Sequence, residues 1–419
     1  MIYNITDRPP FSKTILFAIQ MVLSVFVATV LIANICGVPT SGALVGASLS
    51  TIVYLIITGM KSPMFLSNSG AFVAPIIFAL ATGGYLGVAV GGLTSCLVYC
   101  LFGIIFSKIP YEKIYKVFPP ALIGAVTVVI GINLMPFILT YVQINGDTNM
   151  YGVVIALITT LVIALLSHYA KGIFKILPFL IGILAGYLVA VIFTLLNIYP
   201  IIDFSLFNNI GFIKIPTFAF TNWGYKAGVF MPIIIMFVAY AISAIMECLS
   251  DHAALSGIIG TDLYKTPGLS KIFIGEGLAN LVGTSIGGLG ICSYGEGVAC
   301  VGFSKVASTT VTFIAAVILG LLGFIEPIQV FIASIPSCVF AGAAIILYGF
   351  IACSGIKMLQ KTNLNEQKNL IIVSSVLSLG ISGLVIGGKT ISFSATALAL
   401  IVGIILNSIL KDRKEKENV

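Results

Sequence analysis

The chain has 419 residues, 59% of them hydrophobic, with a mean hydropathy of +1.15 and only 8% charged side chains. A soluble chain carries about 25% charged residues, so this composition excludes a water-soluble protein and makes the lipid bilayer the first partner. The net charge of +7 is spread over short loops; it reflects topology rather than a nucleic-acid groove, and no nucleic acid is expected as a partner.

At roughly 20 apolar residues per crossing, helical spans are predicted near 15–36, 43–59, 84–106, 121–142, 150–168, 177–197, 228–250, 305–324, 336–357, 369–387 and 393–410. Three further stretches, 66–82, 271–284 and 287–303, are apolar but broken by glycine, proline and small polar residues. None has the alternating pattern of ~10-residue barrel strands. The expectation is an all-α polytopic protein of fourteen transmembrane segments. Placing the N-terminus inside and alternating puts Arg8, Lys13, Lys61, Lys108, Lys113, Lys116, Lys171, Lys175, Lys265, Lys271, Lys305, Lys357, Lys361, Lys368, Lys411, Arg413, Lys414 and Lys416 in the cytoplasm. Only Lys214, Lys226 and Lys389 fall outside, the bias expected of a correct count. Both termini are then cytoplasmic, in a multi-pass protein of the inner (plasma) membrane. The polar residues 1–14, with Pro9 and Pro10, do not resemble a cleavable signal.

The pattern recurs. Pro120 precedes span five as Pro336 precedes span twelve, each after a short polar or amphipathic linker (107–118 and 326–335). Seven segments per repeat is odd, so the second repeat enters from the opposite face. This 7+7 inverted repeat is a common plan of secondary transporters, whose site is marked by broken segments at matching positions of the two halves. Segment three reads Ser67-Asn68-Ser69-Gly70-Ala71-Phe72-Val73-Ala74-Pro75 and segment ten Gly287-Gly288-Leu289-Gly290-Ile291-Cys292-Ser293-Tyr294-Gly295-Glu296-Gly297. Irregular backbone at membrane depth must be satisfied by protein or by a wet cavity, and half-helix N-termini there offer N–H donors to a polar ligand.

Two acids lie inside spans. Glu247 falls near the middle of segment eight and Glu296 opens the half-helix of segment ten. Intramembrane carboxylates are costly and mark function by default: a protonatable acid couples proton entry to substrate entry, and its ionised form accepts hydrogen bonds from ligand N–H groups. Asp251, one turn beyond Glu247, and His252 beside it read either as a proton relay or as both capping and solvating the cytoplasmic end of segment eight. Glu276 and Asn280, one turn apart, read as a structural pair within segment nine. Tyr294 either lines the site or belongs to the aromatic core. His168 reads as interfacial. The eight cysteines lack metal-ligand spacing and read as packing residues. No soluble domain and no hydrolase or zinc constellation occurs, so the chain reads as no enzyme, with an ion gradient as its expected driving force.

The stretch Glu247-Cys248-Leu249-Ser250-Asp251-His252, with Ile258-Ile259-Gly260-Thr261-Asp262-Leu263, Pro267-Gly268-Leu269, Gly275-Glu276-Gly277-Leu278-Ala279-Asn280 and Ser293-Tyr294-Gly295-Glu296, resembles the nucleobase:cation symporter-2 (nucleobase–ascorbate transporter) family, including bacterial uracil and xanthine permeases. Phe118-Pro119-Pro120-Ala121, Gln367-Lys368-Asn369-Leu370 and 401–407 are also similar. The resemblance implies a core domain (1–108 and 225–324), a gate domain (109–224 and 325–410) and a cytoplasmic tail (411–419). It further implies short antiparallel strands in segments three and ten with a nucleobase between them, Glu247 and Glu296 on its polar edge, and Phe72 near its ring. With Tyr294 packing by the ring, backbone at Ala71 to Val73 and at Ile291 to Ser293, reaching Gly295, completes the cradle. Proton coupling through Glu247, Glu296 and Asp251, no cofactor besides the coupling ion (H+), and a homodimer through the gate domain are likewise implied. Uracil or a related pyrimidine is the first expected substrate, xanthine or urate the second, and an anion on the same fold a distant third. The chain departs from the family at Met21, where a histidine commonly follows Gln20, and at Gly297 and Ala299 after the segment-ten acid; Gly70 stands where uracil permeases often carry an aromatic, hinting at a roomier pocket.

Overall fold

The computed structural model describes residues 1–419 except 109–115, 117–118, 145–146, 172–173, 175–176, 209, 225–229, 361, 385, 388–391, 394 and 411–419. The tail 411–419, most of the linker 107–118, and Lys113, Lys175, Lys226, Lys361 and Lys389 lie outside the described residues.

The chain opens with α1 (Phe11–Ile35), α2 (Thr40–Ile57), strand β1 (Leu66–Asn68), a single 3-10 turn (Gly70–Phe72) and α3 (Val73–Lys108). Within α3, Gly84 adopts φ 63° and ψ −157°, a conformation a side chain resists, and it divides a short half-helix from the long span that follows. Then come α4 (Pro120–Leu134), α5 (Pro136–Val142), α6 (Met150–Tyr169) and α7 (Pro178–Leu195). The second half opens in the same order, helix, helix, strand, helix, and comprises α8 (Phe230–Ile259), α9 (Leu269–Gly287), β4 (Ile291–Ser293), α10 (Gly295–Ser304), α11 (Thr309–Leu322), α12 (Glu326–Ser334), α13 (Ser337–Leu359), α14 (Gln367–Ile381) and α15 (Ala395–Ile409). Two-residue strand pairs, β2 (Gln143–Ile144) with β3 (Asp147–Thr148) and β5 (Ile386–Gly387) with β6 (Ser392–Phe393), precede α6 and α15.

Among the described residues, eight helical stretches are long and apolar enough to cross a membrane, and α11, α14 and α15 are shorter apolar helices. This is a less even set than fourteen similar spans. Segments three and ten give their first residues to strands, segments three and four run together through Gly84, and α9 is diluted by Lys271, Glu276 and Asn280.

Helices α1, α2, α3, α8, α9, α10 and α11 pack mainly on one another, and α4, α6, α7, α13, α14 and α15 form a second group. Small residues let the helices approach closely, the usual device where lipid removes the hydrophobic drive for helix association. A Cβ on Gly46 of α2 would stand 2.9 Å from the Gly287 Cα of α9, and one on Gly131 of α4 would stand 2.8 Å from the Ala352 Cα of α13. The N-terminal residues run as a strap beside the link between α10 and α11. Tyr3 pairs with Val306 in parallel, Ile2 N–H donates to the Lys305 carbonyl (2.8 Å), Ala307 N–H to Tyr3 (2.9 Å), and Ser308 Oγ to the Asp7 carbonyl (2.6 Å).

Candidate functional site

The two broken segments meet. β1 and β4 pair antiparallel with Leu66 opposite Ser293, Ser67 opposite Cys292 and Asn68 opposite Ile291, every one of these residues buried. Ser69 N–H donates to the Gly290 carbonyl (2.9 Å), which extends the ladder by one bond. The pair is too short to hold by itself and is pinned from the surrounding helices. Thr51 Oγ1 donates to the Leu66 carbonyl (2.7 Å) and accepts from its N–H (3.2 Å); Asn68 Nδ2 donates to Thr29 (3.2 Å) and Asn280 Nδ2 to Ile291 (2.7 Å). From this crossing two helices diverge, the half-helix of α3 and α10.

A cavity of about 700 Å³ lies where the crossing faces the second helix group. Glu247 and Asp251 from α8, Ala71 after β1, and Ser293, Tyr294, Gly295 and Glu296 around the start of α10 all line it; Thr127 of α4 and Phe350, Ile351 and Lys357 of α13 form the opposite wall. Glu247 is enclosed by protein yet exposed to the cavity, and Asp251 and Glu296 are half-buried at its edge. The Cys292 thiol is 3.9 Å from Glu247 Oε2. The arrangement brings three carboxyl groups and the backbone at the α10 N-terminus to one concave surface, with the buried hydroxyls of Ser293 and Tyr294 beneath it. It suits a small planar ligand carrying both N–H and C=O groups.

Of the expected site residues, Phe72 and Val73 do not line the cavity. Both are fully buried, and the Phe72 ring stacks on Phe237 of α8 (centroids 5.9 Å apart, planes at 25°). The reason lies across the crossing at Gly290: a Cβ there would fall 2.6 Å from the Phe72 ring, so the missing side chain admits that ring to the core. Tyr294 is both buried and cavity-lining. Gly70 opposes the second helix group, where a Cβ would meet Ile351 Cδ1 at 2.9 Å; its small size matters to the contact across the cavity. Met21 is buried and does not line the cavity.

Two expectations need correction. Asn280 reaches Ile291 of β4 rather than Glu276, because the strand carbonyl needs a donor and α9 passes directly behind it. Glu276 is fully buried beside Cys248, Tyr99 and Ser293. The other is a cap role for His252, which is fully buried, with Nδ1 2.8 Å from the Cys248 carbonyl oxygen and Nε2 2.7 Å from the Tyr54 hydroxyl. Cys248, His252 and Glu276 bring ligand-type atoms within 4.8 Å of one another; linear spacing did not suggest this group, since Glu276 arrives from another helix, and both ring nitrogens of His252 are already engaged. His168, at the end of α6, is exposed beside Tyr169, as an interfacial residue would be.

Residues 12–387 match the family model described as a permease family, the xanthine/uracil permeases. The chain belongs to the nucleobase:cation symporter-2 permease family. It is a transporter, not an enzyme. It is 32% identical to the uracil permease of Bacillus caldolyticus over 420 residues, covering 99% of this chain and 96% of that one. It is 33% identical to the uracil permease of Bacillus subtilis over 426 residues, with the same coverage, and 30% identical to the uracil permease of Escherichia coli, covering 97% of this chain and 94% of that one. Its fold is similar to the transmembrane domain of the cyanobacterial bicarbonate transporter BicA (TM-score 0.65, 16% identity, 96% of this chain and 100% of that one). It is also similar to the murine Solute Carrier 26 family member A9 anion transporter (TM-score 0.69, 11% identity, 96% and 69%). At such identities the likeness is one of fold alone. A permease of this family is a multi-pass membrane protein, as the apolar helices require.

Proposed function

We propose that this permease imports a nucleobase, uracil or a related pyrimidine, together with protons across the inner membrane by alternating access. The observation that carries the reading is the convergence of Glu247 and Glu296 on one cavity at the β1–β4 crossing. Carboxylates accept from the ring N–H groups of a nucleobase, while backbone N–H groups at the α10 start serve its carbonyls. Tyr294 and the apolar wall at Phe350 and Ile351 cover the ring faces. Asp251, one turn from Glu247, shares the proton load.

Alternating access follows from two bodies facing one cavity. The core domain (1–108 and 225–324) carries the substrate on the crossing and slides against the gate domain (109–224 and 325–410), whose α13 forms the far wall. Fourteen segments in a 7+7 inverted repeat, both termini cytoplasmic, account for the repeated order helix, helix, strand, half-helix. A homodimer through the gate domain leaves the core free to move. An anion substrate fits less well: segments three and ten contain no Lys or Arg, and three acids line the cavity.

The test is uptake of labelled uracil and xanthine into proteoliposomes under an inward proton gradient. Gradient-dependent accumulation of uracil is expected; accumulation of xanthine alone would move the substrate to purines, and no uptake of any nucleobase from a broad panel would end the proposal.

A further inference from the structure

Polar side chains continue behind the strands, away from the substrate. The side chain of Ser293 neighbours both Asp251, which lines the cavity, and Glu276, fully buried on α9, without a hydrogen bond from its hydroxyl to either. Beyond Glu276 stands the Cys248 thiol, 3.5 Å from His252 Nδ1. On the far side of that imidazole, Nε2 is 2.7 Å from the Tyr54 hydroxyl, which is 2.8 Å from Ser62 Oγ. Glu276, Cys248, His252, Tyr54 and Ser62 are all fully buried, and Ser62 follows the exposed Lys61 in the loop between α2 and β1. The series runs from cavity to loop wholly within the α1–α3 and α8–α11 helix group and never touches α13.

We propose that His252 and Tyr54 form a proton route separate from the substrate's, joining Glu276 behind the strands to the loop at Lys61 and Ser62. The inference rests on the proton-coupled reading above. Packing alone gives poor reason for this construction: a buried imidazole, phenol and carboxyl in a row are expensive to desolvate, and leucine or phenylalanine would fill the volume without that cost. In the step that releases the proton toward the loop, the Glu276 O–H proton passes to Cys248 Sγ as the thiol proton passes to His252 Nδ1. Nε2–H then gives its proton to the Tyr54 oxygen, whose own proton moves to Ser62 and on to water at the loop. Glu276 is left ionised, the thiol and hydroxyls regain their proton count, and the imidazole, which began protonated on Nε2, ends protonated on Nδ1, the form that donates to the Cys248 carbonyl. The start is restored when the Nδ1 proton leaves and Nε2 takes up another, since turning the ring moves no proton between its nitrogens. Charges facing the route are Glu247 and Asp251 from α8, with the Tyr99 phenol from α3 and the Cys292 thiol from β4.

Such a route has a signature that a packing role lacks. Exchange of internal for external nucleobase at equal pH needs no net proton movement, whereas accumulation under a gradient does. His252→Gln and Tyr54→Phe, the latter removing a single atom, are compared with the wild-type chain in proteoliposomes for uracil–uracil counterflow and for proton-driven uracil accumulation. Both variants are expected to keep counterflow within about twofold and to lose accumulation at least tenfold. Accumulation at the wild-type level in either variant overturns the route, as does a matching loss of counterflow, which would place the residues in substrate binding or packing. Wild-type chain that exchanges uracil but never accumulates it under a gradient overturns the coupling reading itself, and the route with it, a result readily told apart from the other two.

Discussion

The two strand-led half-helices look alike in backbone and differ in chemistry. On the segment-three side, β1 is held by Thr51 and Thr29, Ser69 Oγ caps the following turn by accepting from Ala71 N–H (3.2 Å), and no acid is present. On the segment-ten side, no side chain caps α10, and the hydroxyls of Ser293 and Tyr294 stay outside hydrogen-bond geometry with any protein group. Glu296 occupies the first turn, where the helix dipole favours a negative charge. One half is finished by its own chain, and in the other buried hydroxyls stay unpartnered among the described residues. A crossing of two strands can thus be symmetric in shape while one arm is held by its own side chains and the other, on the function proposed above, recognises the ligand.

That contrast can be broken from either side. The largest effect is expected for Glu296→Gln, which turns an acceptor into a mixed donor and acceptor: uracil affinity measured by calorimetry should fall at least 100-fold, about 2.7 kcal/mol, with the melting temperature little changed. Retained affinity would make Glu296 structural and the two arms equivalent. Next is Thr51→Val, which deprives both backbone groups of Leu66 of their partner; about 2 kcal/mol of stability should be lost, read as a lower melting temperature in detergent. Ser69→Ala removes one cap and should cost about 1 kcal/mol, with counterflow rates unchanged. Smallest is Glu326→Gln, far from the crossing. Lys214 Nζ at 3.1 Å and the Gly211 N–H at 2.7 Å hold the Glu326 carboxyl below its ordinary range. A lowered carboxyl pKa stabilises above the unfolded value and is lost as pH falls through the folded one, so wild type and variant should converge in melting temperature only at acid pH, below the ordinary glutamate range.

Much of this was legible in one dimension because membrane depth punishes irregularity. Glycine and serine inside an apolar run, at Ser67 to Gly70 and again at Gly287 to Ser293, mean backbone that is satisfied elsewhere, and carboxyls within spans, as at Glu247 and Glu296, are costly enough to mark a candidate site. What stayed hidden depends on partners far along the chain. Phe72 is turned into the core by Gly290 and Phe237; His252 is defined by Tyr54, 198 residues away; Asn280 serves a strand rather than the acid one turn before it. Periodicity reports which face of a helix is apolar, not which distant side chain will meet a buried polar atom.

The N-terminal strap carries a practical consequence. Residues 2–7 run beside Lys305 to Thr309, the link that leaves α10, so the helix that begins with Glu296 is tethered at its far end to the first residues of the chain. A bulky fusion at the N-terminus would tug on the recognition arm from behind, and reporters or affinity handles belong at the other end.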